Sequence, residues 1–274
     1  MTHAIKAIVS DMDGVLWRGA QALPGMTDFF NFLFERAISF VLATNNSRNT
    51  PEDYVKKLAS MGVDGIQPGH IVTSGTATAV TLQAQFPTGS RVYVVGGHGL
   101  KQLLGDAGFQ LVDKDAELVV CGIDFDLTYD KLKTATLLIR GGARFIGTNP
   151  DSSFPSPEGL VPGAGSILAL LESASGCAPT IIGKPERAMF EAALRQAGAK
   201  ASETLMIGDR IGTDIIGAAA LGMQTALVMT GVETEDSLRA STTQPDLVFA
   251  GLPDLVAALR GESACDSFAT EDTE

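Results

Sequence analysis

The stretch Val9-Ser10-Asp11-Met12-Asp13-Gly14-Val15-Leu16-Trp17 closes an apolar run at residues 4–9. That run shows little alternation, so it predicts a strand buried on both faces, as in a parallel sheet. Asp11 and Asp13 stand two residues apart at its C-terminal end, where an extended backbone points both side chains the same way. Gly14 then lets the chain turn away. In an open parallel α/β sheet, ligands bind in the crevice beyond the strand C-termini. Two aspartates held side by side at that edge repel, and they need a cation, a shared proton or a functional reason to stay together. A solvated acidic turn is the competing reading, and the rest of the chain has to separate the two.

Outward from this stretch, strands and helices alternate, which predicts parallel sheets joined by crossover helices. A helix is expected at about 24–36, with Phe29, Phe30, Phe32, Leu33 and Phe34 as core. A buried strand at 38–43 ends in Thr44-Asn45-Asn46-Ser47, and Thr50-Pro51 caps and opens the next helix. A short strand at 71–74 leads to a helix ending near 86. At 87–90 the pattern breaks and restarts, with strands at 91–95, 118–122 and 144–147 and helices at 100–107 and 129–139. A loop rich in Pro, Ser and Gly follows at 149–162, then a helix at 166–173. Residues 179–183 resume the earlier style, followed by a helix at 188–196, a strand at 204–207 and the loop Gly208-Asp209-Arg210. A helix from about 213, a strand at 225–229 and a helix at 253–260 complete the chain. The expected architecture is α/β. A Rossmann-like, doubly wound parallel-sheet core of residues 1–88 and 180–274 is interrupted by an inserted α/β domain at 89–179.

Composition narrows the partners. Apolar residues make up 45% of the 274, enough for a full core. A net charge of −12 disfavours nucleic acid polymers and anionic membrane surfaces, though it leaves room for a small anionic substrate at a locally positive site. No apolar run approaches the ~20 residues that span a bilayer, and no signal-peptide pattern opens the chain. Three cysteines without paired spacing and three scattered histidines point to a reducing, cytoplasmic setting and away from zinc. Residues 261–274 carry five acidic residues and no basic one, and read as a disordered acidic tail. Gly97-His98-Gly99-Leu100-Lys101-Gln102 imitates a dinucleotide fingerprint but lacks its third glycine, so no nucleotide cofactor is expected.

Four segments share one placement, each at or beside the end of an expected core strand. They are Asp11/Asp13, Thr44-Asn45, Lys184, and Asp209 with Asp214. Side chains from parallel neighbours converge on one crevice. Asp11, Asp13 and Asp209 supply hard oxygen ligands that suit Mg²⁺ with several waters retained. Lys184 and the divalent ion would neutralise a phosphate, while Thr44 and Asn45 donate hydrogen bonds to its oxygens.

DMDGVLWRG, ATNNSRN, FIGTNPD, PGAGS, IIGKPE and GDRIGTD, in this order, resemble the motifs of the haloacid dehalogenase superfamily of phosphohydrolases. They are similar to the branch that includes NagD-type nucleotide phosphatases, p-nitrophenylphosphatase-like proteins, phosphoglycolate phosphatase and pyridoxal phosphate phosphatase. The resemblance spans nearly the whole chain outside the acidic tail. It implies that the insertion is a mobile cap lying between the second and third motifs. It implies that Asp11 is the nucleophile forming an aspartyl-phosphate, and that Asp13 protonates the leaving alkoxide and then deprotonates the hydrolytic water. Mg²⁺ would be held by Asp11, the Asp13 main-chain carbonyl and Asp209. Asp214 would fix Lys184 or a metal-bound water, unless it is only a helix N-terminal charge.

Asn46 reads either as a phosphate contact or as a turn residue, and Phe154 either reaches the substrate from the cap or anchors its loop. Gly212 stands where many relatives carry an acidic residue or arginine, which leaves the surroundings of that motif less defined. The implied function is Mg²⁺-dependent hydrolysis of a small phosphorylated metabolite, such as a sugar phosphate, phosphoglycolate, glycerol phosphate, a nucleotide or p-nitrophenyl phosphate. The implied assembly is a homodimer through the cap. A phosphotransferase or mutase, with a hydroxyl in place of water, is the alternative within the superfamily. A receiver-like phospho-switch is the alternative outside it, and the inserted domain, Asp13 and the late Asp209 argue against it.

Overall fold

The computed structural model describes residues 5–156 and 158–261; the expected acidic tail falls, apart from Gly261, outside them. Strand β1 (Ala7–Ser10) leads through the short pair β2 (Trp17–Arg18) and β3 (Gln21–Ala22) to helix α1 (Met26–Glu35). Next come β4 (Ser39–Thr44), α2 (Pro51–Ser60), β5 (Ile71–Thr73) and α3 (Ser74–Gln83). The middle of the chain gives β6 (Arg91–Val95), α4 (His98–Asp106), β7 (Gln110–Leu111), β8 (Leu118–Cys121), α5 (Tyr129–Arg140) and β9 (Arg144–Gly147). A hairpin of β10 (Ser153–Ser156) and β11 (Gly159–Pro162), helix α6 (Ala164–Ser175) and β12 (Thr180–Ile181) follow. The last part holds α7 (Arg187–Ala197), β13 (Thr204–Gly208), a π turn (Ile211–Ile215) running into α8 (Ile216–Ala220), and β14 (Gln224–Val228). It closes with α9 (Glu235–Ala240), β15 (Leu247–Phe249) and α10 (Leu252–Arg260).

Two parallel sheets result. The core sheet has the order β15-β14-β13-β1-β4-β5, and the second has β12-β9-β8-β6-β7. β1 lies between β4, reached early in the chain, and β13, reached late, so the strand order reverses at β1. That reversal opens the crevice at its C-terminal end. β1 is buried along its whole length, as a central parallel strand requires. Local chemistry agrees with this frame: Thr50 and Asp53 form a reciprocal capping box at the start of α2, with Pro51 in the first turn.

One apolar cluster fills one face of the core sheet, with Phe29, Phe30, Leu33, Trp17 and Tyr54. A second runs from Val9, Val41 and Val72 through Leu82 and Leu104 to Val92, Val120 and Ile146 of the second sheet. The two sheets are therefore joined by a continuous apolar seam as well as by chain crossings.

The structure corrects the sequence reading in several places, beginning with the short elements β2, β3, β7 and α9, which that reading did not expect. Residues 180–181, expected to belong to the core, pair with β9 in the second sheet, so the chain returns only after Ile181. The loop expected over 149–162 contains the β10–β11 hairpin, which turn-rich composition concealed. β15 was not anticipated at all, since its three residues carry too short a pattern to stand out beside α10.

Candidate active site

Each element of the core sheet delivers its part to the same edge. The Asp11 N–H donates to Ile207 O at 2.8 Å, continuing the β1–β13 ladder one residue past the strand. Thr44 ends β4, and Asp209 follows β13 directly. Lys184 arrives from outside the core sheet and is positioned by Asn45. Asn45 Oδ1 accepts from the Lys184 N–H at 2.8 Å, and Asn45 Nδ2 donates to Lys184 O at 3.0 Å. A Cβ on Gly183 would stand 2.7 Å from Asn45 Oδ1 and 2.4 Å from Thr148 O, so only glycine permits this approach.

The Lys184 ammonium is 1% exposed and faces three oxygens: Asp11 Oδ1 at 2.8 Å, Asp214 Oδ1 at 2.6 Å and Ala43 O at 2.9 Å. Burial opposes its charge, but Asp11 and Asp214 outweigh burial and hold the ammonium above the usual lysine range. Asp214 Oδ2 accepts from the Arg210 N–H at 3.2 Å. Burial pushes the Asp214 carboxyl up to about 6, with Lys184 opposing. Asp214 thus braces Lys184 and the loop after β13, which is more than a helix-end charge would do.

Asp11, Asp209 and Asp214 bring one oxygen each to within 4.8 Å of one another, and all three are buried. Burial drives the Asp209 carboxyl well above its ordinary range, and the charges of Asp11 and Asp214 add to the shift. Asp209 sits in a cradle without side chains: a Cβ on Gly14 or Gly231 would fall 2.3 Å or 1.6 Å from its Oδ2. With Lys184 as the sole buried ammonium against these carboxylates among the described residues, the donor set is electrostatically incomplete, and a hard divalent cation fits it. Asp13 is not part of this cluster. Its Oδ1 accepts from Trp17 Nε1 at 2.7 Å. Burial raises the Asp13 carboxyl, Asp11 adds to this, and Lys57 and the Trp17 hydrogen bond oppose it.

These groups line a cleft of about 520 Å³ between the two sheets. Asp11, Asp13, Thr44, Asn45, Asn46, Phe154, Lys184 and Asp209 all border it, and Asp214 stands behind. Asn45 differs from expectation in its role. Both donors of its amide are taken, one by Lys184 O and one by Asp151 Oδ2 at 2.9 Å, so the side chain organises the site rather than reaching for phosphate. Thr44 Oγ1 accepts from the Asn46 N–H at 3.1 Å, which leaves its hydroxyl proton to donate. Asn46 Oδ1 accepts from the Arg48 N–H at 2.9 Å, as the turn reading required, and its amide still borders the cleft.

Sequence reasoning passed over Phe125, Lys57 and the particular contacts of the far wall. Asp151 pairs with Arg210 at 3.0 Å, tying the segment before the hairpin to the residue after Asp209. Asn149 Nδ2 donates to Asn45 O at 2.7 Å. Phe125 stacks on Phe154 at 5.8 Å, and the Arg48 guanidinium lies 4.7 Å from the Phe125 ring centroid. Lys57 borders the cleft on the Asp13 side. Of these, Asn149 and Asp151 stood in FIGTNPD, Arg48 in ATNNSRN and Arg210 in GDRIGTD, while isolated Phe125 and Lys57 had no signal in sequence.

Comparison with known proteins agrees with the geometry. Residues 8–110 match the family model of haloacid dehalogenase-like hydrolases, and residues 181–255 match a second model of the same hydrolase group. The acid sugar phosphatase of Staphylococcus epidermidis is 38% identical over 255 residues, covering 93% of this chain and 98% of that protein. Among solved structures, the 4-nitrophenylphosphatase of Thermotoga maritima superposes with a TM-score of 0.88 at 37% identity, covering 93% of this chain and 97% of its own. The glycerol phosphate phosphatase of Mycobacterium tuberculosis, solved in complex with magnesium, gives 0.85 at 29% identity, covering 92% and 76%. No helix among the described residues is long and apolar enough to cross a membrane. With its sheet order, its acid cluster and these matches over both ends of the core, the chain belongs to the haloacid dehalogenase-like hydrolase family.

Proposed function

We propose that the protein is a Mg²⁺-dependent phosphatase of small phosphomonoesters, working through an aspartyl-phosphate on Asp11. The observation that carries this reading is the convergence of Asp11, Asp209 and Asp214 with the buried Lys184 ammonium at the C-terminal edge of β1. Asp11 and Asp209, with the Asp13 main-chain carbonyl, would hold the ion, which when bound offsets phosphate charge and favours the attacked phosphoryl group. Lys184 neutralises a phosphate oxygen and fixes the Asp11 carboxylate for attack on phosphorus. The phosphoryl group moves to Asp11 as the bond to the leaving oxygen breaks, and the Asp13 carboxyl gives that oxygen its proton. The raised Asp13 carboxyl suits this first step, which needs it neutral. Asp13 then takes a proton from water as the acyl phosphate is cleaved, returning both carboxyls to their starting state.

The names of the relatives support phosphomonoesters as substrates, and the magnesium complex of one supports the metal. The second sheet with its hairpin would act as a cap, excluding water and contacting the leaving group through Phe154. The test is phosphate release from a panel of sugar phosphates, phosphoglycolate, glycerol phosphate, nucleotides and p-nitrophenyl phosphate, with Mg²⁺ and with chelator. Turnover on no member with Mg²⁺ present would refute the reading.

A further inference from the structure

Among the described residues three cations border the cleft: Lys184, Arg210 and Lys57. Lys184 is engaged by Asp11 and Asp214, and Arg210 by Asp151. Lys57 differs from both. Among the described residues no carboxylate lies within ion-pair distance of it, and it faces an aromatic ring instead: the ammonium stands 4.0 Å from the Trp17 ring centroid. Trp17 is fully buried and stacks on Tyr54, one helical turn before Lys57 on the same face of α2. The indole therefore sets the position of the lysine stem while leaving its N–H donors pointed at no acceptor.

The same indole fixes where the charge lies relative to the chemistry. Its Nε1 donates to Asp13 Oδ1 at 2.7 Å, so one indole holds the Lys57 ammonium over its face and the Asp13 carboxyl at its edge. Asp13 faces the leaving oxygen, and Lys184 serves the Asp11 side. Lys57 is thus the cation on the leaving-group side of the cleft. Phe154 and Phe125 make the opposing wall apolar; of the acids beside them, Asp151 pairs with Arg210 and Glu158 is also engaged, while Asp13 across the cleft accepts from Trp17. An ammonium half withdrawn from water is costly to keep without a carboxylate partner, and a transient anionic partner would supply one.

We propose that Lys57 is a specificity residue that binds a second anionic group, carboxylate or phosphate, carried by the leaving group of the substrate. This rests on the phosphatase reading above and narrows its substrate class. A three-carbon leaving group places such a group beyond Asp13 without displacing the ester phosphate from Lys184.

The test uses matched pairs with the full chain and Mg²⁺. 3-Phosphoglycerate and glycerol 3-phosphate share one carbon skeleton and differ by carboxylate for hydroxymethyl. Glucose 1,6-bisphosphate and glucose 6-phosphate differ by a second phosphate. The wild type should favour the anionic member of one pair in kcat/KM, and Lys57→Met should lower that preference at least tenfold, mainly through KM. Lys57→Arg should restore most of it. The pair that responds tells carboxylate from phosphate. Loss of Asp13 tuning or of packing would slow both members alike, so a preference ratio unchanged within twofold overturns the proposal, as does a wild type without preference in either pair. Those outcomes leave the phosphatase reading standing, whereas a wild type that cleaves none of the four and no member of the wider panel ends both.

Discussion

The two walls of the cleft are built on different principles. The wall at the end of β1 is polar, buried and internally paired: Lys184 is held by Asp11, Asp214 and Ala43 O within 2.6–2.9 Å. The facing wall is carried by the second sheet and its hairpin. It is made of stacked rings, a cation on an aromatic face and one ion pair, Asp151–Arg210. Charges fixed at short range suit a reaction whose electrostatics do not change from substrate to substrate. Stacked rings and a partly exposed hairpin suit recognition of a variable group, because dispersion contacts tolerate changes of shape at about 0.5–1.5 kcal/mol each. On the proposed reaction, the polar wall would carry the chemistry, the facing wall together with Lys57 of α2 would carry the selectivity, and substitutions should separate the two.

The sharpest break is expected on the polar wall. Asp11→Asn keeps the shape and removes the nucleophile, and phosphate release with saturating Mg²⁺ should fall by at least ~10⁴-fold on every substrate alike. Residual turnover above that level would remove Asp11 as nucleophile. Asp13→Asn should cost about 10²–10⁴-fold. It should slow phosphate release more than it weakens Mg²⁺ binding, because the Asp13 side chain lies outside the acid cluster. Parallel losses in both would make Asp13 chiefly a ligand.

A smaller effect tests the charge balance of the same wall. Asp214 is raised from 3.8 to about 6, and Asp209 moves in the same direction. A carboxyl whose folded pKa is raised binds its proton more tightly in the folded chain. Through Asp214 the folded state therefore loses stability as pH climbs from about 4 towards 6, and Asp209 acts in the same direction. A cation held by Asp11 and Asp209 relieves the penalty. Mg²⁺ at about a hundred times its Kd adds roughly 2.7 kcal/mol by mass action. The Mg²⁺-induced rise in Tm should therefore be several degrees at pH 7.5 and clearly less at pH 5. An equal rise at both would mean that the acids are not where the ion binds.

The polar wall was also the legible one. Asp11, Asp13, Thr44, Asp209 and Lys184 lie within three residues of strand ends, and strand ends can be read from apolar runs because hydrophobic periodicity is local. What those runs left open was direction. Asn45 carries the right chemistry for phosphate, yet its amide is spent on Lys184 and Asp151, a choice made by residues more than a hundred positions away. The aromatic wall depends on such distant meetings throughout. Phe125 and Phe154 stack only because a loop after β8 and the β10 strand converge, and Arg48 joins them from the core. The hairpin itself was hidden because Pro, Ser and Gly signal turns, and its partner strand has no alternation to reveal it. Trp17 is fully buried, and its second task, donating to Asp13 while carrying Lys57, appears only in three dimensions.

Phe154→Ala should produce the smallest effect, and it bears most directly on the contrast between the walls. Phe154 stacks on Phe125 with an angle of 18° between the rings and borders the cleft. Removing it deletes one stacking contact and part of the apolar wall, while the distances around Lys184 have no reason to change. If the ring contacts the leaving group, relative kcat/KM values should be reordered, with bulky or aromatic esters such as p-nitrophenyl phosphate losing about tenfold more than glycerol phosphate. If it only anchors the hairpin, Asp151 would lose its seat beside Arg210 and all substrates would decline together. A panel that keeps its order while falling uniformly would therefore move Phe154 from recognition to support, and would shift the burden of selectivity onto Phe125 and Lys57.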